Sequence, residues 1–441
     1  MRPMSIRPAV SLAMLAASWT TYAQGAAFSS LYTFPGSPEG SNPQADVTIG
    51  KGGVLYGTTV VGGSAGYGTV FSLTRPASPG GAWIPTVLHS FGGAPNDGYS
   101  PYNAGVAIGK GGVLYGTTYG GGSGFYGTVF ALTPPAGVPS EPGLQWAETI
   151  LYNFTGNSDG GSPQAAVVIG RGGVLYGTTN SGGTGACSGG CGTVFALTPP
   201  VSPGGPWTET VLHNFTGGPG DGASPITGLV IGSGGVLYGT TVGGGSAGYG
   251  TVFSLTPPAG GPSGPSGTWS ETVLYNFTGA SDGSVPAAGV AIGKGGVLFG
   301  TTYGGGTGIC SGGCGTVFAL SPPESQGGLW TEIVLHSFAG GSTDGAFPSA
   351  GVVFGSGAML YGTTYSGGSA GYGTVFTLKP PGSPGGSWTE TVLHNFAGGR
   401  DGAFPFAGVA IGSDGRLFGT AENGGSHACS LGCGTMFRLK P

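Results

Sequence analysis

Charge is what this 441-residue chain has least of: Asp, Glu, Lys and Arg together make up 7% of it. The 12 basic residues form no cluster anywhere. A phosphate backbone is held by patches of Lys and Arg that displace its counterions, so nucleic acid is excluded as a partner. Long apolar runs are lacking as well. The one concentrated stretch, Ala9 to Ala17, is too short for a bilayer, which takes about 20 residues. No membrane span is therefore expected. Helical periodicity is missing throughout: no segment has apolar residues three and four apart over the length of a helix. Cysteine is scarce, at six residues.

Glycine, by contrast, is abundant, at 102 residues. Collagen is excluded because no Gly-X-Y period exists, and disorder because the mean hydropathy is positive, at +0.18. The glycines belong instead to many tight turns between short strands. At the N-terminus, Arg2 and Arg7 precede the apolar stretch, and Thr21-Tyr22-Ala23 offers the small residues a signal peptidase reads. Residues 1–23 are expected to be a cleaved signal peptide, leaving a secreted or periplasmic protein. Beyond it, 10 basic residues face 17 acidic ones (10 − 17 = −7).

The six cysteines stand as three close pairs, Cys187/Cys191, Cys310/Cys314 and Cys429/Cys433. Export and local pairing argue for disulfides. Zinc would need four ligands together, and no His sits consistently beside the pairs. Each bridge closes a five-residue loop, and loop-closure entropy assigns such a loop only about 2 kcal/mol. They are staples and not the main source of stability.

The most informative feature is a phrase. Leu-Tyr-Gly-Thr-Thr stands at Leu55–Thr59, Leu114–Thr118, Leu175–Thr179, Leu237–Thr241 and Leu360–Thr364. It recurs with Phe for Tyr at Leu298–Thr302 and in altered form at Leu417–Ala421. Around it each repeat carries four apolar segments of five to seven residues, rich in Val, Thr, Tyr and Phe and bounded by Gly or Pro. These are strands. Four short antiparallel strands per repeat make a propeller blade. The blade units fall at about 44–91, 103–154, 164–215, 226–277, 287–338, 349–396, and 406–440 plus 29–35. Ser30-Leu31-Tyr32-Thr33-Phe34 is a fourth segment with no repeat of its own, and Gly434–Leu439 is a third segment with none after it. Pairing the two closes a ring and hides the faces an open array would expose. The expected fold is all-β: a seven-bladed propeller, closed by its N-terminal strand. A solenoid would show capping repeats at its ends, and none is visible.

Taken together, Leu-Tyr-Gly-Thr-Thr, Gly-Thr-Val-Phe, Val-Leu-His-Asn-Phe and Asp-Gly resemble the GloVer-type tandem repeat of exported bacterial proteins described as choice-of-anchor. The resemblance covers residues 29 to 440. It implies export, often attachment through a variable C-terminal anchor, and no assigned activity. Unlike the anchored members, this protein is expected to have no membrane anchor of its own. The layout is also loosely similar to NHL-type propellers.

Asp-Gly opens six of the repeats, at Asp97, Asp159, Asp221, Asp282, Asp344 and Asp401, with Glu39-Gly40 in the first. Such pairs make turns, the carboxylate bonding nearby N–H groups. One carboxylate per loop is thin for calcium, which takes six to eight oxygens. Gly-x-Ser-x-Gly at Gly62–Gly66, Gly244–Gly248 and Gly367–Gly371 spells a nucleophile elbow but lies between strands, not before a helix. His89, His213, His336 and His394 share one repeat position with Tyr32, Tyr152 and Tyr275. That exchange fits a packed ring with one polar tip, not a base or metal ligand. Trp83, Trp146, Trp207, Trp269, Trp330 and Trp388 each precede a fourth strand, with Glu148, Glu209, Glu271, Glu332 and Glu390 two residues after five of them. Their regularity points to rim packing. The second Cys of each pair aligns with Tyr67, Tyr126, Tyr249 and Tyr372, so staple and aromatic pin the same loop. Asn-x-Thr at Asn153, Asn214 and Asn276 lies at strand ends, a weak glycosylation signal.

The innermost strands carry one charge, Asp46, and no converging acids, bases or metal ligands. No cofactor and no metal are expected. The fourth-to-first and second-to-third loops share a face, which gathers the Asp-Gly turns and the cysteine loops with Tyr99, Tyr102, Tyr119, Tyr303, Tyr365, Phe347 and Phe404. Acids beside exposed rings suit a neutral polysaccharide or an extracellular protein. The reading is a monomeric, non-catalytic binding or scaffold propeller. The alternative is a secreted enzyme acting on carbohydrate or a lactone.

Overall fold

β-Branched and aromatic residues in runs of five to seven, cut by Gly and Pro, leave each repeat no option but short strands. The computed structural model describes residues 27–441 except 79, 136–145, 203, 260–266, 326 and 384. The expected signal peptide lies outside the described residues. In the first blade the strands are Thr48–Ile49, Leu55–Thr59, Thr69–Thr74 and Ile84–Ser90, paired antiparallel in that order from the axis outward. Six further sheets repeat this order, giving seven four-stranded blades in a ring. Smaller two-stranded pairs, such as Gly98–Tyr99 with Gly120–Gly121, tie the loops of one face. Among the described residues no helix is long and apolar enough to cross a membrane.

The repeated phrase reads directly as packing. Its Leu is wholly buried in every blade. Its Gly lies under the third-strand Phe: a Cβ on Gly57 would come within 2.7 Å of the Phe71 ring. In six of the seven copies its aromatic meets the Trp of the next blade edge-on, as Tyr56 meets Trp146 at 6.3 Å and Phe418 meets Trp83 at 6.3 Å. Its first Thr crosses to the neighbouring blade. Thr58 Oγ1 donates to the Ala104 carbonyl at 2.9 Å, and Thr117, Thr178, Thr240, Thr301, Thr363 and Thr420 repeat the bond around the ring. Each such bond contributes about 1 kcal/mol, and only the assembled ring offers the acceptor. The second Thr bonds the Thr that opens the third strand, as Thr59 does Thr69 at 2.8 Å.

The core sits between blades. The Phe after each outer strand packs edge-on against the third-strand Phe of the next blade, beginning with Phe34 on Phe71 at 5.1 Å and ending with Phe396 on Phe437 at 5.3 Å. A single blade therefore buries little, and the ring folds as one system of seven joints.

Closure follows the expected pairing. Residues Ala27–Thr33 lie antiparallel to Thr435–Lys440, with Phe28 opposite Leu439 and Ser30 opposite Phe437. The pairing even carries the bulge found in the other blades, here between Ser30 and Tyr32 and in the second blade beside Val129 and Phe130. A bulge re-aims the residues after it; here that residue is the His or Tyr of the outer strand.

The three cysteine pairs, Cys187–Cys191, Cys310–Cys314 and Cys429–Cys433, are disulfides. Tyr and staple hold the next blade in one way. The Tyr67 carbonyl accepts the Ser100 N–H at 2.8 Å. The carbonyls of Cys191, Cys314 and Cys433 accept from Ser224 at 2.8 Å, Phe347 at 2.8 Å and Asn42 at 3.0 Å. Each device also covers the glycine that opens the next loop: Gly93 under Tyr67, Gly217 under Cys187–Cys191, Gly340 under Cys310–Cys314 and Gly36 under Cys429–Cys433. The two devices differ in exposure, which their alignment did not foretell. Cys191, Cys314 and Cys433 are each 0% exposed, whereas Tyr67, Tyr126, Tyr249 and Tyr372 remain 45%, 47%, 46% and 38% exposed. The short side chain of a disulfide-bonded Cys turns wholly beneath its loop, while a phenol ring reaches past the glycine into solvent.

Candidate functional site

Two zones occupy the face shared by the fourth-to-first and second-to-third loops. The outer zone holds the Asp-Gly turns and the cysteine loops. The inner zone surrounds the mouth of the central channel.

In the outer zone each Asp is consumed by its own loop. Asp97 Oδ2 accepts from the Gly92 N–H at 2.6 Å and meets His89 Nε2 at 3.1 Å. Asp159 accepts from the Thr155 N–H at 2.9 Å and the Tyr152 hydroxyl at 3.1 Å. Asp221 and Asp344 meet His213 and His336 at 3.2 Å, Asp401 meets His394 at 3.3 Å, and Asp282 accepts from Tyr275 at 3.1 Å. Glu39 takes the Tyr32 hydroxyl in the first repeat. His and Tyr exchange here because both present one N–H or O–H at the same height to one carboxylate. The cysteine loops likewise bring no cysteine to the surface of this zone through Cys191, Cys314 or Cys433. Burial and the S–S bond confine those three to a structural part.

A third partner arrives from the neighbouring blade. Glu148 Oε1 lies 3.6 Å from His89 Nε2, and Glu271 joins His213 and Asp221 with ligand atoms within 4.8 Å of one another. Glu209, Glu332 and Glu390 hold the same place. Oε1 of all five is buried without a hydrogen-bond partner among the described residues. Burial, with the adjoining Asp beside it, pushes each of these glutamic acids up to about 7, opposed at Glu148 by His89. For Asp97, Asp221 and Asp344 burial pulls upward, but the His and N–H donors outweigh it and hold them below the usual range. A neutral Glu beside an ionised Asp is the arrangement this favours, a proton-linked clasp between blades. Sequence reading separated its members because Asp and Glu lie some fifty residues apart and meet only across a joint. Two clusters contain three metal-ligating types, but a Tyr replaces the His in the clasps of Asp159 and Asp282, so the common design needs no ion.

In the inner zone the repeats disagree. The residue that follows the repeated phrase is Val60, Tyr119, Asn180, Val242, Tyr303, Tyr365 and Glu422 in successive blades. Around the mouth Tyr303 stacks on Phe347 at 5.0 Å, Tyr365 on Phe404 at 5.0 Å, and Phe406 meets Tyr365 edge-on at 6.0 Å. Tyr102 and Tyr119 lie 6.2 Å apart. Glu422 sits among them: its charge, after burial, helps raise both Tyr102 and Tyr365. Glu422 Oε1 accepts from Gln44 Nε2 at 2.8 Å, and burial raises this acid despite that bond. Below lies a cavity of about 500 Å³ whose lining includes Gln44, Asp46, Asn103, Ile226 and Phe406. Gln44 Oε1 and Asn103 Oδ1 have no partner there among the described residues. Asp46 accepts the Gly408 N–H at 2.7 Å, and burial raises it. Tyr99 stands apart, against Tyr67 at 5.8 Å. The sequence singled out Tyr102, Tyr119, Tyr303 and Tyr365 but missed Glu422, Gln44, Asn103 and Phe406. Their signal was departure from the repeat at positions where no packing rule demanded it.

The Gloeobacter/Verrucomicrobia repeat matches three overlapping stretches, 17–184, 141–310 and 265–441. The chain belongs to that family. No curated protein matches this member of the Gloeobacter/Verrucomicrobia repeat family. Among solved structures, a protein named as a 6-phosphogluconolactonase from Bacteroides uniformis is 16% identical, with 84% of this chain and 89% of that one covered and a TM-score of 0.50. An ulvan lyase is 11% identical over 82% and 86% of the two chains, at a TM-score of 0.45. A protein named as a gluconolactonase is 14% identical over 84% and 95%, at 0.40. The first likeness is one of fold alone.

Proposed function

We propose that this family member is an exported, non-catalytic binding propeller that takes neutral oligosaccharide at the mouth of its channel. The observation that carries this is the aromatic half-circle around Glu422, with the unpartnered Gln44 and Asn103 oxygens beneath it. Tyr rings offer flat apolar faces to sugar C–H groups, while Glu422, Gln44 and Asn103 accept hydroxyl protons. A cavity of about 500 Å³ lies in the range of small-ligand sites. The three disulfides and the absence of a membrane-crossing helix among the described residues are consistent with a secreted or periplasmic setting.

The test is calorimetric titration with cellohexaose, laminarihexaose, xylohexaose and maltohexaose. At least one should bind, and Tyr365→Ala or Tyr102→Ala should weaken it about tenfold, near 1.4 kcal/mol. Failure of the whole panel, or affinity indifferent to both tyrosines, would overturn the reading. Shortening of the bound sugar would make Glu422 a general acid, with Glu422→Gln abolishing it, and the protein an enzyme.

A further inference from the structure

The joint where the ring closes carries a feature that no other joint repeats. On the face opposite the channel mouth, where the first-to-second and third-to-fourth connections emerge, the seventh and first blades enclose a cavity of about 580 Å³. Arg75, Arg416 and Arg438 line it, together with Trp83, Phe418 and Asp414. Only five arginines follow residue 26 (Arg75, Arg171, Arg400, Arg416 and Arg438), so most of them converge on this groove.

None of the three is a repeat residue. Where Arg75 stands, later repeats have Pro134, Pro199, Pro257, Pro322 and Pro380. Where Arg416 stands, the others have Val54, Val113, Val174, Val236, Val297 and Met359. Where Arg438 stands they have Ser72, Ala131, Ala196, Ser254, Ala319 and Thr377. Six joints close without any of these cations, so closure itself does not require them. Three guanidinium groups face one carboxylate. Among the described residues Asp414 pairs with Arg416 alone, Arg438 Nη2 reaches only the Ser29 hydroxyl at 3.5 Å, and Arg75 lies over the Trp83 ring at 5.9 Å. In a chain of net negative charge this groove is the positive exception.

We propose that the closure groove binds an acidic saccharide, with Arg75 and Arg438 holding its carboxylate or sulfate and the Trp83 ring receiving the sugar face. Guanidinium matches either oxyanion through paired N–H donors. Ser29, Ser30 and Ser78, also in the lining, offer hydroxyls to a sugar. The groove and the channel mouth lie on opposite faces, so each site stands or falls without the other.

The experiment is titration calorimetry of the whole protein with unsulfated chondroitin disaccharide, its 6-sulfated form, and neutral N-acetyllactosamine. Arg75→Pro and Arg438→Ala install residues that other blades already carry, so both variants should melt within a few degrees of the parent. At least one acidic disaccharide should bind, and each substitution should weaken it at least fivefold. Binding of both forms assigns the carboxylate as the recognised group; binding of the sulfated form alone assigns the sulfate. N-Acetyllactosamine should be insensitive to both substitutions, and Tyr102→Ala and Tyr365→Ala should leave acidic binding unchanged. No acidic binding at about 10 mM ligand, tenfold above a Kd of about 1 mM, or acidic binding unaltered in both variants, overturns the proposal. If Arg438→Ala folds poorly, Arg75→Pro on its exposed loop decides the matter.

Discussion

Val285 holds a left-handed backbone, at φ 55°. A β-branched residue rarely adopts that region. The same loop position is Asn42 in the first repeat, at φ 55°, and Ser in the next three, so the geometry belongs to the loop and not to the residue. The loop enforces it from both sides: Val285 N–H donates to Tyr249 and its carbonyl accepts from Tyr303, each at 2.9 Å. Val285→Asn should therefore stabilise the protein by about 1 kcal/mol, read as a higher denaturant midpoint; an unchanged or lower midpoint would refute the strain. Phe347 and Phe404 adopt the same conformation, at φ 58° and 54°, and stack on Tyr303 and Tyr365 at the channel mouth. Relieving their strain with Asn would also remove two rings from the proposed site, so here stability and binding should move in opposite directions.

At the scale of the element, the joint between blades is where charge matters. Five joints carry a Glu raised to about 7 from an ordinary value of 4.5. An acid whose folded value lies above its unfolded one binds more protons when folded. Its favourable contribution is complete below about pH 4.5 and is lost as pH rises through 7. Glu209 and Glu332 make the clearest case, because they face Asp159 with Tyr152 and Asp282 with Tyr275, with no His in either clasp. Replacing both by Gln supplies a permanent donor toward the Asp. The melting temperature of that double variant relative to wild type should climb steadily between pH 5 and 8; a constant difference would show that the clasp carries no proton. The remaining two joints dispense with the Glu. Phe28 stacks on His394 at 3.7 Å in one, and Pro85 takes the position in the other.

For the whole molecule, stability is a property of the circle. Each blade's largest side chains are buried by the next, and the seventh blade borrows its outer strand from residues Ala27–Thr33. Removing residues 1–34 would leave Thr435–Lys440 as an open edge and strip Phe34 from Phe71. Calorimetry and size-exclusion chromatography should then show a lower, broader transition together with association through the bare edge. A single transition at the parent temperature would mean that the circle does not need its closing strand. The disulfides do not substitute for it, since each closes a loop within one blade.

Much of this was legible in the residues themselves. Blade number, the closing pair and the staple-for-tyrosine exchange all follow from local spacing, as do the three outer strands of each blade; the innermost, expected at five to seven residues, pairs over only two in the first blade, at Thr48–Ile49, because the turn that follows it takes the chain out of the ladder. A six-residue run bounded by Gly has one way to satisfy its backbone, and repetition imposes the same solution seven times. The His or Tyr of each outer strand was read as packing, because an exchange between unlike side chains reveals what they share; that its polar tip meets the Asp of the same loop was not. What the exchange does not reveal is exposure: Cys314 and Cys433 vanish beneath their loops where Tyr249 and Tyr372 stay half in water. Long-range company was not legible either. The Glu that completes each clasp, the acid and amides at the channel mouth, and three arginines separated by up to 363 positions (438 − 75) in one groove are brought together only by the curvature of the ring. The sequence by itself determined the unit and its copy number, since hydrogen bonding and short-range burial act along the chain. Which departures from the unit face one another was decided by the tertiary structure, since burial and charge act through space without regard to order.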